Sequence, residues 1–379
     1  MGIVNVGRLV LTEDELVLKT VNVAQKDALT GMAKGSLIFE TEGIAMMFYD
    51  GEQWNYAYRP YTPSLYEFTS YTFKTLVGRG DATGPAFSSM QAAYAGQPFL
   101  TEGYFSQGNS LGYQLWTVPA DGTYRITAGG ARGGRDTNYG ITDIWGATMR
   151  GDFELLAGEQ IEMCIGAGGN QYGSPHGNEA GGGGGTYVKD YTNDSPLIVA
   201  GGAGGSAGNA YGNSCSRNVT TAYGQSTNQA AETTCQGNYT VPSQSVGQGG
   251  TGAGQYWGGG GGGYFGNGVD GYVHCSAPIG GRSYQQGAVG GTGNHCYTPS
   301  GSGNRGGFGG GGGGNLSGPG GGGGYTGGNS SGYWSSYSQH GGGAGSFNAG
   351  SNQVNTRGGN SGSLGGYAGA GYVKITKKT

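Results

Sequence analysis

The stretch 305–328 reads RGGFGGGGGGNLSGPGGGGGYTGG, in which two unbroken glycine tracts flank a short polar link. Further glycine tracts stand at 181–185 and 258–263, and the chain contains 91 glycines among 379 residues. The tracts lack the regular third-position spacing of collagen, and only 11 prolines accompany them. Because the 27 tyrosines and 5 tryptophans supply more apolar area than a flexible linker carries, the sequence predicts an ordered glycine scaffold.

A glycine tract can form structure because its backbone carries no side chains. A left-handed extended helix with about 3 residues per turn has no internal hydrogen bonds, so its N–H and C=O groups must bond to a neighbour. Without a Cβ, two such helices can approach closely enough for those bonds to form. The sequence therefore predicts four polyglycine II helices and a fifth candidate, at 181–185, 258–263, 309–314, 320–324 and 341–343.

Short apolar strands alternate with turns on both sides of the glycine-rich part. The segment Trp116–Ala131 contains a turn at Pro119–Gly122 and then a strand that runs into glycines, and Phe153–Gly166 repeats this plan. A last strand is predicted at Gly371–Ile375, far along the chain from the others. We therefore expect an all-β fold, with a small N-terminal β-hairpin module followed by a β-sandwich that brackets an inserted bundle of polyglycine II helices.

The uneven distribution of glycine predicts three parts of the chain. Residues 1–100 hold 10 glycines, whereas the rest of the chain holds 81. Residues 1–60 have ordinary strand-forming patterns and form the N-terminal module. Residues 61–115, rich in Thr, Ser and aromatic side chains, are expected to be a connecting segment of short strands and irregular structure. Residues 116–379 form the glycine-rich domain.

The hairpin sequence near the N-terminus resembles a known virion module. The stretches Lys34–Thr41 and Met47–Trp54 are similar to a small hairpin that recurs in bacteriophage tail-fibre and other virion appendage proteins. This resemblance implies that residues 1–60 attach the chain to a virion and support trimerisation. It covers only these two stretches, and an unrelated β-hairpin with a Gly-x-x-Trp ending is the alternative.

The C-terminal part resembles the extracellular glycine-rich domain of the anaplastic lymphoma kinase and leukocyte tyrosine kinase receptors. The similar residues include Trp116–Pro119, Pro196–Gly202 and Gly306–Phe308 with the tracts that follow it. The resemblance spans roughly residues 116–376. It implies the fold and not the signalling role, since we find no kinase pattern, membrane span or secretory signal. The stacked polyglycine helices of adhesins at the tips of myophage long tail fibres are a second similarity in kind.

Composition and charge exclude several classes of protein. Charged side chains make up 11 % of the chain, and the formal net charge is -4. A nucleic-acid-binding surface needs a basic patch, so we expect no nucleic-acid partner. No run of 18 apolar residues occurs, so we expect no membrane insertion. Because no pair of carboxylates has a catalytic spacing and no glycine motif has the context of a nucleotide site, we expect a non-enzyme with no cofactor and no metal.

The segments between the tracts carry the candidate binding residues. They are rich in Tyr, Ser, Gly and Asn with an occasional Trp, which is the composition of antibody recognition loops. Residues 233–373 contain only four charged side chains, so the surface there is expected to be nearly neutral. The alternative for any one tyrosine is that it covers the side of the bundle. The candidate receptor-binding residues are Tyr211, Tyr223, Tyr239, Tyr256, Trp257, Tyr284, Tyr297, Tyr333, Trp334 and Tyr337.

Four of the five cysteines fall into two pairs of similar spacing, and the fifth, Cys164, lies on a predicted strand. Two loop disulfides and one buried thiol are the simplest allocation, although four cysteines permit three connectivities. The candidate disulfide cysteines are Cys215, Cys235, Cys275 and Cys296. The alternatives are free thiols, or a zinc site made from the dipeptides His274-Cys275 and His295-Cys296.

These features lead to one main hypothesis. We expect an adhesin of a bacteriophage tail fibre or similar virion appendage that binds a host cell-surface receptor, protein or glycan, through its aromatic loops. Its other expected partners are virion tail or fibre proteins and further copies of itself in a homotrimer. It would be assembled in the host cytoplasm and located in the virion. One alternative is a structural virion fibre or decoration protein whose glycine-rich domain is a spacer, and another is a secreted signalling-receptor ectodomain.

Overall fold

The chain divides into two compact units, Met1–Pro63 and Ser64–Thr379. Strands dominate both units, which confirms the predicted all-β fold. The computed structural model describes residues 20–40, 45–58, 64–135, 143–170, 180–207, 219–235, 239–253, 257–272, 279–293, 304–315, 318–332 and 340–378.

The first unit is a four-stranded sheet with one short helix. Its elements are β1 (Thr20–Val21), α1 (Val23–Asp27), β2 (Leu37–Glu40), β3 (Ala45–Tyr49) and β4 (Trp54–Tyr58). The strand order is β1-β2-β3-β4, with β1 parallel to β2 and the other pairs antiparallel. The predicted hairpin is therefore the pair of β2 and β3. Its described core is small, consisting of Val21, Ile38 and Met47.

The second unit contains the remaining strands and two short helices. Its described residues also form two short 3-10 turns, at Val219–Ala222 and Tyr284–Gln286. The other elements are β5 (Ser70–Lys74), α2 (Phe87–Ala93), α3 (Pro98–Thr101), β6 (Phe105–Gln107), β7 (Gln114–Thr117), β8 (Gly122–Gly129), β9 (Thr148–Leu155), β10 (Gln160–Cys164), β11 (Thr186–Asp190), β12 (Ser195–Ala200), β13 (Thr233–Cys235), β14 (Tyr239–Val241), β15 (Gly252–Ala253), β16 (Ser330–Ser331), β17 (Phe347–Asn348), β18 (Ser351–Thr356) and β19 (Tyr372–Lys377).

Two antiparallel sheets form a β-sandwich in this unit. One has the strand order β18-β9-β8-β19-β5 and the other β17-β12-β11-β10-β7-β6. Strands β8 and β9 of the first contact β12 of the second, and both sheets contribute to one buried core, including Phe73, Trp116, Ile126 and Ile161. Each fully buried apolar side chain of this size stabilises the fold by about 1.5–3 kcal/mol. The predicted last strand is β19, which pairs with β8 and β5 and so brackets the glycine-rich insertion.

The segment 61–115 differs from its predicted role as a connector. From Ser64 onward it belongs to the second unit, where β5 is an edge strand of one sheet and β6 and β7 extend the other. Its aromatic side chains pack together: Phe73 stacks on Phe105 at 6.2 Å between ring centroids, and Tyr94 lies edge-on to both. The aromatic residues that looked irregular in sequence are therefore core residues.

Candidate functional site

The glycine tracts begin and end at the strands of the sandwich. Tract 181–185 leads directly into β11, and β12 runs directly into Gly201. Backbone N–H groups of one tract donate to carbonyl groups of another at intervals of three residues. Gly182 and Gly185 donate to the carbonyl groups of Gly312 and Gly309, at 2.9 and 2.8 Å.

The same interval of three recurs across other tracts. Gly202 and Gly205 donate to the carbonyl groups of Gly323 and Gly320, at 2.8 and 2.9 Å. A strand presents alternate residues to a given neighbour, so the period would be two. A period of three instead means that each tract has three faces and can bond to several neighbours. The glycine-rich part is thus held together largely by backbone hydrogen bonds.

Close approach explains why these positions are glycine. A Cβ on Gly184 would overlap the carbonyl oxygen of Phe308, and one on Gly261 would overlap that of Gly322. The overlapping atoms belong to the backbone, which cannot rotate away as a side chain can. Alanine, although only one carbon larger, therefore does not fit between these tracts.

The ends of the tracts farther from the sandwich strands form one connected layer, which we call the loop layer. It consists of the described residues that flank the segments between tracts. On one side of it, the Ala207 N–H donates to His340 Nδ1 at 3.0 Å, and the His340 carbonyl accepts from Ser331 Oγ at 3.3 Å. The Ser331 carbonyl in turn accepts from the Gly258 N–H at 3.3 Å.

The loop layer continues through Trp257 to the next tracts. The Trp257 carbonyl accepts from the Tyr272 N–H at 3.1 Å and from Asn315 Nδ2 at 2.9 Å. Gly314, next to Asn315, donates to the carbonyl of Asn304 at 2.7 Å. The segments between the tracts thus start and end side by side, although their ends are far apart in sequence.

One of the predicted binding residues forms an aromatic pair in this layer. Trp257 stacks on Tyr272 with ring centroids 5.5 Å apart and an interplanar angle of 29°. Trp257 is half-buried, whereas Tyr272 is 52 % exposed. Tyr272 was absent from the predicted set, although its place after the turn-like sequence Val269–Gly271 is the kind of tract exit on which the prediction relied. The pair offers an accessible aromatic surface beside two tracts.

Tyr284 corrects the sequence-based expectation, because it is only 3 % exposed. Its ring stacks on those of Tyr113, Tyr187 and Tyr264 at centroid distances of 5.1, 4.9 and 4.9 Å. Its hydroxyl donates to Oε1 of the buried Glu162 at 2.6 Å. Burial, followed by the negative charge of Glu162, raises the pKa of Tyr284 well above its usual value. Tyr284 therefore belongs to the core and cannot contact a receptor in this fold.

Two other candidates lie in described parts of the chain. Tyr223 is half-buried and packs beside Ile144 and Ala203, and no contact joins it to the Trp257 pair within the described residues. Tyr239 lies on β14, where it pairs with Cys235 on β13. The remaining candidates lie outside the described residues: Tyr211, Tyr256, Tyr297, Tyr333, Trp334 and Tyr337.

The cysteines are placed only in part. Cys164 is a free, fully buried thiol at the end of β10, and burial raises its pKa well above the usual value. Cys235 lies on β13, while Cys215, Cys275 and Cys296 lie outside the described residues, so the two disulfides stay predictions. Among the described residues there is no group of three side chains that could hold a metal ion. Over the same residues, no helix has the length and apolar character needed to span a membrane.

Comparison with known proteins supports part of the predicted resemblance. No family model matches the chain. A stretch of 90 residues is 32 % identical to the leukocyte tyrosine kinase receptor of Mus musculus. The match covers 24 % of this chain and 10 % of the receptor, so the chain spans about a tenth of the length of this curated relative. This partial similarity supports the predicted resemblance to that receptor, and the resemblance to tail-fibre proteins stays a prediction.

Proposed function

We propose that the chain is a receptor-binding adhesin of a virion tail fibre or similar appendage. The observation that carries this proposal is the loop layer, in which residues as distant in sequence as Ala207 and His340 are directly bonded. Segments that start and end on one fixed layer can present a joint surface, as antibody loops do on their sandwich. The Tyr, Ser, Asn and Trp content of those segments suits recognition and not catalysis.

The proposal includes polyglycine II helices as the support of that layer. Support comes from the interval of three residues between bonds to the same neighbour, which equals the repeat of an extended three-fold helix. A left-handed extended helix of this kind requires negative φ values. None of the glycines of 181–185, 258–263 and 320–324 has a positive φ, whereas Gly309 and Gly310 do. Such a support would hold the loops in place without a large apolar core.

The chemistry of the contact follows from the described aromatic pair. The faces of Trp257 and Tyr272 can stack on a sugar ring or pack against a protein loop, and both rings have few rotatable bonds to immobilise on binding. Attachment to the virion is assigned to residues 1–60. A homotrimer would add avidity, because linked weak sites bind more tightly than each alone.

Host adsorption of the full chain tests this function. Replacing Trp257 and Tyr272 with alanine, or Tyr333, Trp334 and Tyr337 with alanine, should lower adsorption to host cells at least tenfold. The matched control is Val354→Thr, which changes an exposed residue of β18. Unfolding temperatures of all variants establish that the fold is kept. If both sets of alanine variants adsorb as the control does, the adhesin proposal fails and the spacer alternative is favoured.

A further inference from the structure

Three arginines gather at one place in the second unit. Their tract reaches the edge of the loop layer, because the N–H of Ser206, next to Ala207, donates to the Gly134 carbonyl at 3.0 Å. Arg79 lies in the turn 78–81 after β5, whereas Arg132 and Arg135 lie in the tract that follows β8. In a chain with only 11 % charged residues, such a concentration of positive charge is conspicuous. The neighbouring backbone ties this place to the glycine tracts, because the Gly80 N–H donates to the Gly168 carbonyl at 2.8 Å.

The side chains of Arg79 and Arg132 converge over Gly168, and that of Arg135 joins them through Asp143. A Cβ at this glycine would lie 3.3 Å from Cγ of Arg132, 3.4 Å from Cγ of Arg79 and 3.2 Å from the hydroxyl oxygen of Tyr367. The Arg79 guanidinium lies 5.1 Å from the centre of the Tyr367 ring, and that of Arg132 lies 5.5 Å from the centre of the Trp145 ring. The aromatic rings therefore hold the guanidinium groups in defined positions.

Two carboxylates oppose these three cations. Oδ1 of Asp143 lies 2.7 Å from Nη2 of Arg132 and 3.0 Å from Nη1 of Arg135, so two cations share one oxygen. The other carboxylate is Asp81, whose Oδ2 accepts the Gly78 N–H at 2.7 Å. The cluster formed by Arg79, Arg132, Arg135, Asp81 and Asp143 thus carries one excess positive charge.

The donors of the cluster are not fully used. Within the described part of the chain, Nε of Arg135 is buried and has no hydrogen-bond acceptor, whereas Nη2 of Arg132 is paired with Asp143. The Arg132 side chain is 2 % exposed, and burial together with the charge of Arg79 lowers its pKa to about 10. Arg79 and Arg135 are partly exposed and accessible from outside. A guanidinium held with spare donors favours a planar or tetrahedral oxyanion as its partner.

We infer that the cluster of Arg79, Arg132 and Arg135 binds an anionic phosphate or sulfate group carried by the surface molecule that the loop layer recognises. This inference rests on the proposed adhesin function for its biological ligand, but the binding of the anion does not. The partly exposed side chains of Arg79 and Arg135 make the contacts. The buried Arg132 adds its charge from behind them.

Titration of the full chain with inorganic phosphate, glucose 6-phosphate and glucose at constant ionic strength tests the site. We expect both phosphates to bind, and glucose to bind at least tenfold more weakly than its phosphate. R79Q and R135Q should each weaken phosphate binding at least fivefold. The matched control is R282Q, which removes an exposed arginine from outside the cluster and should leave phosphate binding unchanged. Unfolding temperatures are measured alongside, and R135K, which keeps the charge without the planar fork, should bind at an intermediate level.

The outcomes separate this site from the proposed function. Equal phosphate binding by R135Q, R79Q and R282Q would overturn the anion site, and so would equal binding of glucose and its phosphate. Phosphate binding that needs Arg135, in a chain that does not adsorb to any host cell, would leave the anion site standing and refute its link to adhesion.

Discussion

The hydroxyl of Tyr284 donates a 2.6 Å hydrogen bond to Oε1 of Glu162, joining a tract exit to strand β10 across 122 positions of sequence. Glu162 is 1 % exposed, and its other oxygen accepts the Asn109 N–H at 2.7 Å. The two residues thus satisfy each other in the interior. Burial of an ionisable group is costly unless it is hydrogen-bonded, so this pair fixes where the 3-10 turn at 284–286 docks.

Removing the Tyr284 hydroxyl should destabilise the fold without altering adhesion. Tyr284→Phe keeps the stacked ring but leaves Glu162 with one donor fewer, which should lower the free energy of unfolding by about 1–3 kcal/mol. Chemical denaturation measures the change. Tyr272→Phe is the control, because that ring is exposed, and it should change stability by less than about 0.5 kcal/mol. A Tyr284→Phe protein that is fully stable but adsorbs poorly to host cells would restore Tyr284 as a contact residue.

The tract glycines differ sharply from glycines elsewhere in their tolerance of alanine. Gly184→Ala would place a methyl group against the Phe308 carbonyl, and we expect a loss of about 3 kcal/mol or more, since the surrounding backbone has to move. Gly362→Ala is the control, because nothing lies within 4 Å of a Cβ at that position. Thermal unfolding compares the two variants. Equal unfolding temperatures would mean that the tracts are not packed as described.

Local sequence patterns predicted the strands of the sandwich. Features that depend on contacts between residues distant in sequence were not predicted. The closing strand was predicted at Gly371–Ile375, a short apolar stretch after many glycines, and the structure has it as β19 at Tyr372–Lys377. The helix α2 was not predicted, because its N-cap, Ala86, lacks a side chain that could accept a hydrogen bond from the first turn. The sequence Tyr284–Gln286 reads as a polar loop, and only the distant Glu162 shows that it is buried. Arg79 and Arg132 likewise meet through the fold, so no local pattern could pair them.

Alkaline pH should unfold the protein through its buried tyrosines. Burial raises the pKa of Tyr124 to about 12 from its usual value of 10.0. As the pH rises, the unfolded chain therefore loses this proton before the folded chain does. The contribution of Tyr124 to the free energy of unfolding is complete below pH 10 and is lost between about pH 10 and 12. Over that range the free energy of unfolding falls by about 1.4 kcal/mol per pH unit. Arg132 has the opposite effect: because its pKa is lowered in the folded chain, its contribution to the free energy of unfolding increases with pH over this range.

Denaturation curves at pH values from 9 to about 12 measure that decline. Tyr124→Phe should make it shallower by one titrating group, and Phe153→Leu, a core change without a proton, should shift the curves without changing their slope with pH. If the free energy of unfolding falls with pH equally steeply in the native sequence and in Tyr124→Phe, Tyr124 does not contribute to the decline.

The Cys164 thiol should resist modification while the protein is folded. It is fully buried and its pKa is raised, so the reactive thiolate is scarce and a reagent has no access to it. Iodoacetamide labelling followed by peptide mass analysis should find Cys164 unmodified in the native protein and modified in denaturant. Labelling of Cys164 under native conditions at the denatured rate would show that the end of β10 opens.

The packing of the Trp257 ring against Gly252 offers a test of whether the position of the indole in the loop layer matters for adhesion. A Cβ on Gly252 would overlap Cδ1 of the Trp257 ring and would meet Oγ of Ser330. Gly252→Ala should therefore displace the indole from its stack on Tyr272 while leaving the sandwich core untouched. We expect a changed tryptophan emission spectrum, an unfolding temperature lowered less than by Gly184→Ala, and a loss of host adsorption similar to that of Trp257→Ala. The alanine adds no charge and removes no polar group. If adsorption is lost while the fold is kept, the loss is therefore due to the changed position of the indole ring. An unchanged emission spectrum with full adsorption would instead mean that Trp257 does not pack against Gly252.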